Sequence, residues 1–194
     1  MTSYSTSLGT KEKVLIFGGN GFIGGSISEY LQNQSINYFS PTKRQCDLLN
    51  LAQVQDYLNQ FLNKRVHIVF CAAISRRTED SLQSMQHNKK IVSNFIKGSQ
   101  SLSLASFIFL STIDVYKKPY EKPIKESTPI DPIGNYAISK VYSEKLIKNA
   151  WPQLPTLILR LPGIYGKGDK GSSIIGNFSQ KIQEGSTLTL TNAK

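Results

Sequence analysis

The sequence predicts an α/β fold built on a doubly wound parallel sheet, and three observations carry that expectation. From Lys13 onward, short apolar runs alternate with longer amphipathic stretches, the pattern of successive β-α-β units. A glycine-rich turn stands between the first apolar run and the first amphipathic stretch. A chain of 194 residues with 39% apolar and 10% aromatic content can fill one core of ordinary size.

Residues 14–17 form a short apolar run and read as the first strand; the amphipathic stretch 22–33 follows as a helix. Residues 36–39 read as a second strand, closed at Ser40-Pro41 because proline restrains the residue before it. Helical periodicity covers 51–62, and 66–71 is an unbroken apolar run suited to a strand buried on both faces. A long helix is expected over 81–99, a strand over 107–110, a helix over 135–149 and a strand over 156–161. Between Ile113 and Ile133 lie four prolines, and this stretch reads as a long irregular surface loop of the kind that serves a site. Gly163, Gly166, Gly168 and Gly171 precede a last helix over 173–184.

No apolar run reaches the roughly 18 residues of a membrane span, and the start lacks the basic-then-apolar layout of a secretory signal. A cytoplasmic protein without membrane contact is expected. Cys46 and Cys71 are too few for a disulfide framework and are expected to stay unbridged; no metal site is read. The net charge of +10 is scattered in pairs such as Lys43-Arg44, Arg76-Arg77, Lys89-Lys90 and Lys117-Lys118, with no basic block and no nucleic-acid motif. That distribution points away from nucleic acid and toward small ligands that carry phosphates.

In the segment Gly18-Gly19-Asn20-Gly21-Phe22-Ile23-Gly24, the glycines satisfy G-x-G-x-x-G between a strand and a helix. Glycine there serves positive φ, backbone approach to a pyrophosphate and close helix packing, and the helix N-terminus offers free N–H groups to phosphate. The turn therefore predicts a nicotinamide dinucleotide on a Rossmann-type domain. An acid about 20 residues on bonds the ribose of NAD in the usual pattern. Here no acid occurs between Glu29 and Asp47; Ser40, Lys43 and Arg44 stand at the end of the second strand instead and favour NADP over NAD.

Tyr136 and Lys140 stand four apart on one predicted helix, so their side chains share a face. A nearby cation lowers a phenol toward the working range, fitting Tyr136 for general acid/base work. Ser111-Thr112 arrives at the carboxyl edge of the sheet, where ligands bind in open α/β folds.

With these motifs in place the chain resembles the extended short-chain dehydrogenase/reductases, the NAD-dependent epimerase/dehydratases. The resemblance rests on GGNGFIG at 18–24, Asp47-Leu48, CAA at 71–73, STIDVY at 111–116, YAISK at 136–140 and RLPGIYGKGD at 160–169. It implies an enzyme acting on nucleotide-activated sugars. Thr112 would be the hydroxyl partner, Tyr136 the acid/base, and Lys140 its pKa-lowering neighbour and ribose anchor. Asn88 would help position the catalytic groups. Asp47 and Leu48 would flank the adenine, while Cys71, Ala72 and Ala73 line the cofactor cleft and Pro162, Gly163 and Ile164 pass the nicotinamide.

The departures from the family pattern narrow the reaction. Phe17 stands where the family usually has Thr, and Cys71 where many members have His or Asn. Ile113-Asp114 replaces the Asp-Glu of the dehydratases it resembles, which disfavours dehydration, and Gly163 replaces the Asn of many epimerases. The short link from Ser40 to Leu51 resembles the NADPH-dependent keto-sugar reductases and favours reduction over epimerisation. Residues 1–12 are expected to be a flexible N-terminus, 13–171 the cofactor domain with the catalytic residues, and 172–194 the truncated start of a substrate-binding lobe. The family's substrate lobe runs well past Lys194, so a fragment and a natural short form both stay open. So do a homodimer and, as the competing function, a non-catalytic NADP(H)-binding sensor or interaction module.

Overall fold

The computed structural model describes residues 12–116, 123–169 and 173–187. The N-terminal residues 1–11, Lys117-Lys118, Gly171 and residues 188–194 lie outside that set. Five strands, β1 (Glu12–Phe17), β2 (Tyr38–Phe39), β3 (Arg65–Phe70), β4 (Ser103–Thr112) and β5 (Thr156–Leu161), form one sheet in the order β2-β1-β3-β4-β5. The helices are α1 (Phe22–Asn33), α2 (Leu51–Asn59), α3 (Leu82–Gly98), α4 (Asn135–Ala150) and α5 (Ile174–Gln183). β1 runs parallel to β2 and β3, and β3 parallel to β4. The strand order therefore reverses at β1, and the turn after β1 opens at the switch point on the carboxyl edge, where ligands bind in such sheets. This is the doubly wound, Rossmann-like fold the sequence predicts.

The bounds of α1 and β5 agree with the sequence pattern, and the differences elsewhere have physical causes. β4 begins at Ser103, four residues earlier than the apolar run, because its polar residues find cross-strand partners: Ser106 Oγ lies 2.9 Å from His67 Nδ1. β3 and β4 shift register beside that pair, at Val66/His67. β2 shrinks to two residues because Ile36 is spent closing α1, its N–H bonding the Leu31 carbonyl at 2.9 Å. In the stretch after β4, residues 117–122 lie outside the described set, and the residues beside them hold local structure. A 3-10 turn occupies Ile113–Val115, and Tyr116 bridges Ile130.

One sheet face carries an aromatic core in which Phe17, Phe70, Phe95 and Phe107 are essentially inaccessible. Phe17 stacks on Phe70 at 5.9 Å and Phe70 on Phe107 at 5.9 Å, with Phe95 of α3 set edge-on to both Phe17 and Phe70. Val14, Ile16 and Val69 face the other way, where Ile27 and Leu31 of α1 pack. Burying each such ring or branched chain contributes about 1.5–3 kcal/mol, so the strand ends rest on a well-packed core. The chain divides into two compact units, Met1–Arg160 and Leu161–Lys194. In the second, Ser173 caps α5 by accepting the Gly176 N–H at 2.8 Å.

Candidate active site

Close packing makes glycine obligatory in the first turn. Gly18 sits at φ 86°, and a Cβ on it would lie 2.6 Å from the Ala72 nitrogen at the end of β3. A Cβ on Gly24 would lie 2.2 Å from the Gly18 carbonyl oxygen, so α1 is pressed onto the turn. Gly21 N-caps α1 without any side-chain hydrogen bond, which leaves the first N–H groups of the helix to a ligand. Phe22 and Ile23 open the helix behind it, and Asn20 is exposed at the tip.

The end of β2 meets the same turn. A Cβ on Gly19 would collide with Ser40 Oγ, and Ser28 Oγ stands close by; both hydroxyls are buried without a hydrogen-bond partner among the described residues. Unsatisfied buried hydroxyls beside a cradle that side chains would fill fit a dinucleotide here. Lys43 and Arg44 are exposed, with Lys43 Nζ 3.8 Å from Asp47 Oδ2, a contact weak enough for a ligand to replace. Asp47 Oδ1 accepts the Leu49 N–H, and Asn94 of α3 donates to the Leu48 carbonyl at 2.9 Å, which fixes Asp47-Leu48 in place.

Across the sheet, α4 carries Tyr136 in its first turn and Lys140 one turn later. Lys140 is buried; its ammonium donates to the Leu110 carbonyl at 2.6 Å and lies 5.6 Å from the centre of the Tyr136 ring. Burial lowers its pKa to about 8, with Cys71 and then Glu144 pulling the other way. The phenol corrects the sequence expectation. Tyr136 is raised above the ordinary value, by burial first and the Asp114 charge second, while Arg76 partly offsets them. Burial also pushes the Cys71 thiol up to about 11, and both cysteines are free.

Thr112 is held by the turn that follows it. Its hydroxyl donates to Asp114 Oδ2 and accepts the Asp114 N–H, each at 3.2 Å, and Arg76 Nη1 reaches the same Oδ2 at 2.7 Å. Asn88 is buried in α3 and grips Ile74 by both backbone groups, accepting its N–H at 2.8 Å and donating to its carbonyl at 2.9 Å. It thereby holds the loop that follows Ala72 and Ala73 against the site. Pro162, Gly163 and Ile164 belong to the second unit, where a Cβ on Gly163 would meet open space.

Three further features escape the sequence pattern. Asp80 caps α4 from a distant loop, Oδ1 accepting the Tyr136 N–H at 2.7 Å, because Gly134 at the N-cap has no side chain to do so. Glu144 is paired twice to Arg160, at 3.1 and 2.7 Å, and accepts the Ser111 hydroxyl; Arg160 Nη1 also donates to Tyr116 at 2.7 Å. Glu144 follows Tyr136 and Lys140 at steps of four, so the helical period was the available signal. The third, the Arg76–Asp114 pair, had none, since its partners lie 38 positions apart. An open groove of about 490 Å³ lined by Trp151, Leu154, Thr156 and Ile158 lies at the opposite end of α4 from Tyr136.

The family model described as "NAD dependent epimerase/dehydratase family" matches residues 14–193. The chain is 26% identical to the low-salt glycan biosynthesis protein Agl12 of Haloferax volcanii over 90% of its own length and 64% of that protein's. It is also 26% identical to a putative UDP-glucose 4-epimerase of Methanocaldococcus jannaschii, over 87% and 62%. A dTDP-4-dehydrorhamnose reductase of Bacillus anthracis in complex with NADP superimposes with a TM-score of 0.72 at 23% identity, over 90% of this chain and 60% of that one. A UDP-glucose 4-epimerase of Thermus thermophilus in complex with NAD gives 0.77 at 22%, over 92% and 65%. The chain thus spans a little under two thirds of the length of these relatives.

Proposed function

Because the chain belongs to the NAD-dependent epimerase/dehydratase family, we propose that it moves hydride between a nicotinamide dinucleotide and a carbon of a nucleotide-activated sugar. The observation that carries this reading is the meeting, on one sheet edge, of the side-chain-free α1 N-terminus and the Tyr136–Lys140 pair. Backbone N–H groups of the turn bind pyrophosphate, and Lys140 anchors a ribose. Tyr136 delivers or takes the proton at the reacting oxygen; its raised pKa keeps it protonated at neutral pH, ready to act as the acid. The dinucleotide supplies the hydride when bound.

Reduction of a keto-sugar is favoured over epimerisation by the short link between β2 and α2, and dehydration is disfavoured by Ile113. NADP is favoured by Ser40, Lys43 and Arg44 and by the absence of an acid between Glu29 and Asp47. Residues 13–171 bind the cofactor, and 172–194 begin the part that meets the sugar.

NADPH and NADH titrated against the nicotinamide's own emission, followed by NADPH oxidation with a panel of keto-sugar nucleotides, test the proposal. Tighter NADH binding overturns the NADP preference. NADPH binding without oxidation, together with no effect of Tyr136→Phe, replaces the enzyme by a binding module. A true acid/base loses about 10²- to 10⁴-fold in kcat on Tyr136→Phe with NADPH affinity unchanged.

A further inference from the structure

We infer that Ser28 of α1 is a specificity residue of the cofactor site: its hydroxyl and that of Ser40 close over Gly19 on the 2′-phosphate of the adenosine ribose, and so set the preference for NADP over NAD. The inference rests on the reading of the turn as a dinucleotide site and deepens it. Ser40 Oγ occupies the place a side chain on Gly19 would take, and Ser28 Oγ stands 3.3 Å from the same place. Both oxygens are buried, and neither has a hydrogen-bond partner among the described residues. A serine inside a helix can satisfy itself on the carbonyl one turn back, as Ser26 does on Phe22 at 3.1 Å. Ser28, two residues on, makes no such bond and borders Gly19 and the end of β2 instead.

A buried hydroxyl without a partner costs stability, and two of them at one point mark a place that a ligand satisfies better than the protein does. The chemistry of the place selects the ligand group. Each serine has one O–H to donate, and a phosphate, which at neutral pH is chiefly an acceptor, takes both. Lys43 and Arg44, exposed three and four residues beyond Ser40, balance its charge. The acid that would accept a free ribose 2′-hydroxyl is missing between Glu29 and Asp47. Turning Ser40 by about 120° to its next staggered rotamer clears the place over Gly19 and lets both hydroxyls face it. A Cβ on Gly19 would fill that place, so the glycine is part of the same device.

2′,5′-ADP and 5′-AMP are the adenosine ends of NADP and NAD, and calorimetry with them tests the site with neither nicotinamide nor sugar present. Wild type is expected to take 2′,5′-ADP more tightly than 5′-AMP. Ser28→Ala is expected to lose about tenfold or more in affinity for 2′,5′-ADP and for NADPH, as removal of one bond to a charged group does, while 5′-AMP and NADH are held as before. Its cofactor-free urea midpoint should stay or rise, because the hydroxyl removed has no partner in the free protein. Ser28→Cys, of similar size and with only a weak donor, is expected to show the same loss and serves as the second arm if Ser28→Ala does not fold. No loss, equal losses for both nucleotides, or a lower urea midpoint with the preference intact overturns the role of Ser28. Wild type that holds 5′-AMP as tightly as 2′,5′-ADP overturns the NADP preference and this inference together. Failure to turn over any keto-sugar nucleotide overturns hydride transfer alone.

Discussion

Lys140 holds a buried charge, and its pKa of about 8 ties two observables together. As pH rises through 8, the folded protein releases this proton while an unfolded lysine keeps it to about 10.4. The unfolded chain binds more protons in that window, so Lys140's contribution to stability rises with pH from about 8 upward. On the proposed role of Lys140 as ribose anchor, loss of its charge weakens the hold on the cofactor. Between pH 7 and 9, NADPH affinity should therefore fall while the urea midpoint gains relative to Lys140→Met. Cys46 and Cys71, raised to about 11, oppose that gain from about pH 8 upward, where unfolded thiols begin to ionise, but both proteins carry them and their effect cancels in the comparison with Lys140→Met. The placement of Tyr136 and Lys140 one turn apart on a helix, and of Asn88 on the long helix, could be read in the sequence because motif and helical spacing single them out. Asp80 and Arg76 could not, since each acts across a loop whose path no local pattern encodes.

The turn between β1 and α1 stands at the opposite extreme of legibility. Its glycines announce the contact that the Gly18 carbonyl and the Ala72 backbone then fill. Gly24→Ala drives a methyl to 2.2 Å from a carbonyl oxygen and should cost about 1–3 kcal/mol, read as a lower urea midpoint, together with loss of NADPH binding. The link of α4 to β5 rests on Glu144 and Arg160. Glu144→Gln, which leaves Arg160 short of its counter-charge, should cost about 3–5 kcal/mol in denaturant unfolding. The double change Glu144→Met/Arg160→Met should cost less, since neither charge is then stranded. Strand bounds were less legible than helix bounds. β4 uses serines that only pairing with β3 makes acceptable, and β2 surrenders Ile36 to the end of α1.

At the scale of the whole molecule, the charge of +10 follows from 23 basic against 13 acidic residues and has no basic block. A diffuse positive field attracts phosphates, and salt screens it over about 8–10 Å. NADPH binding should weaken as salt rises from 0.05 to about 0.5 M, and more steeply than NADH binding, because NADPH carries the additional phosphate. No described helix is long and apolar enough to cross a membrane. The sheet order could be anticipated as a switch-point fold, whereas the division at Arg160 could not, because no composition change marks it.

The protein has a single tryptophan, Trp151, set at the foot of α4 against Phe95 and Phe107. Fifteen residue steps along the helix, about 22 Å of rise, separate it from Tyr136. Its ultraviolet emission is thus a built-in gauge of whether the aromatic core is intact, while binding at the other end of the helix is read in the nicotinamide's blue emission. One cuvette can follow unfolding and cofactor release as two colours, and a variant that releases NADPH while its tryptophan signal equals that of cofactor-free wild type has lost the site and kept the fold.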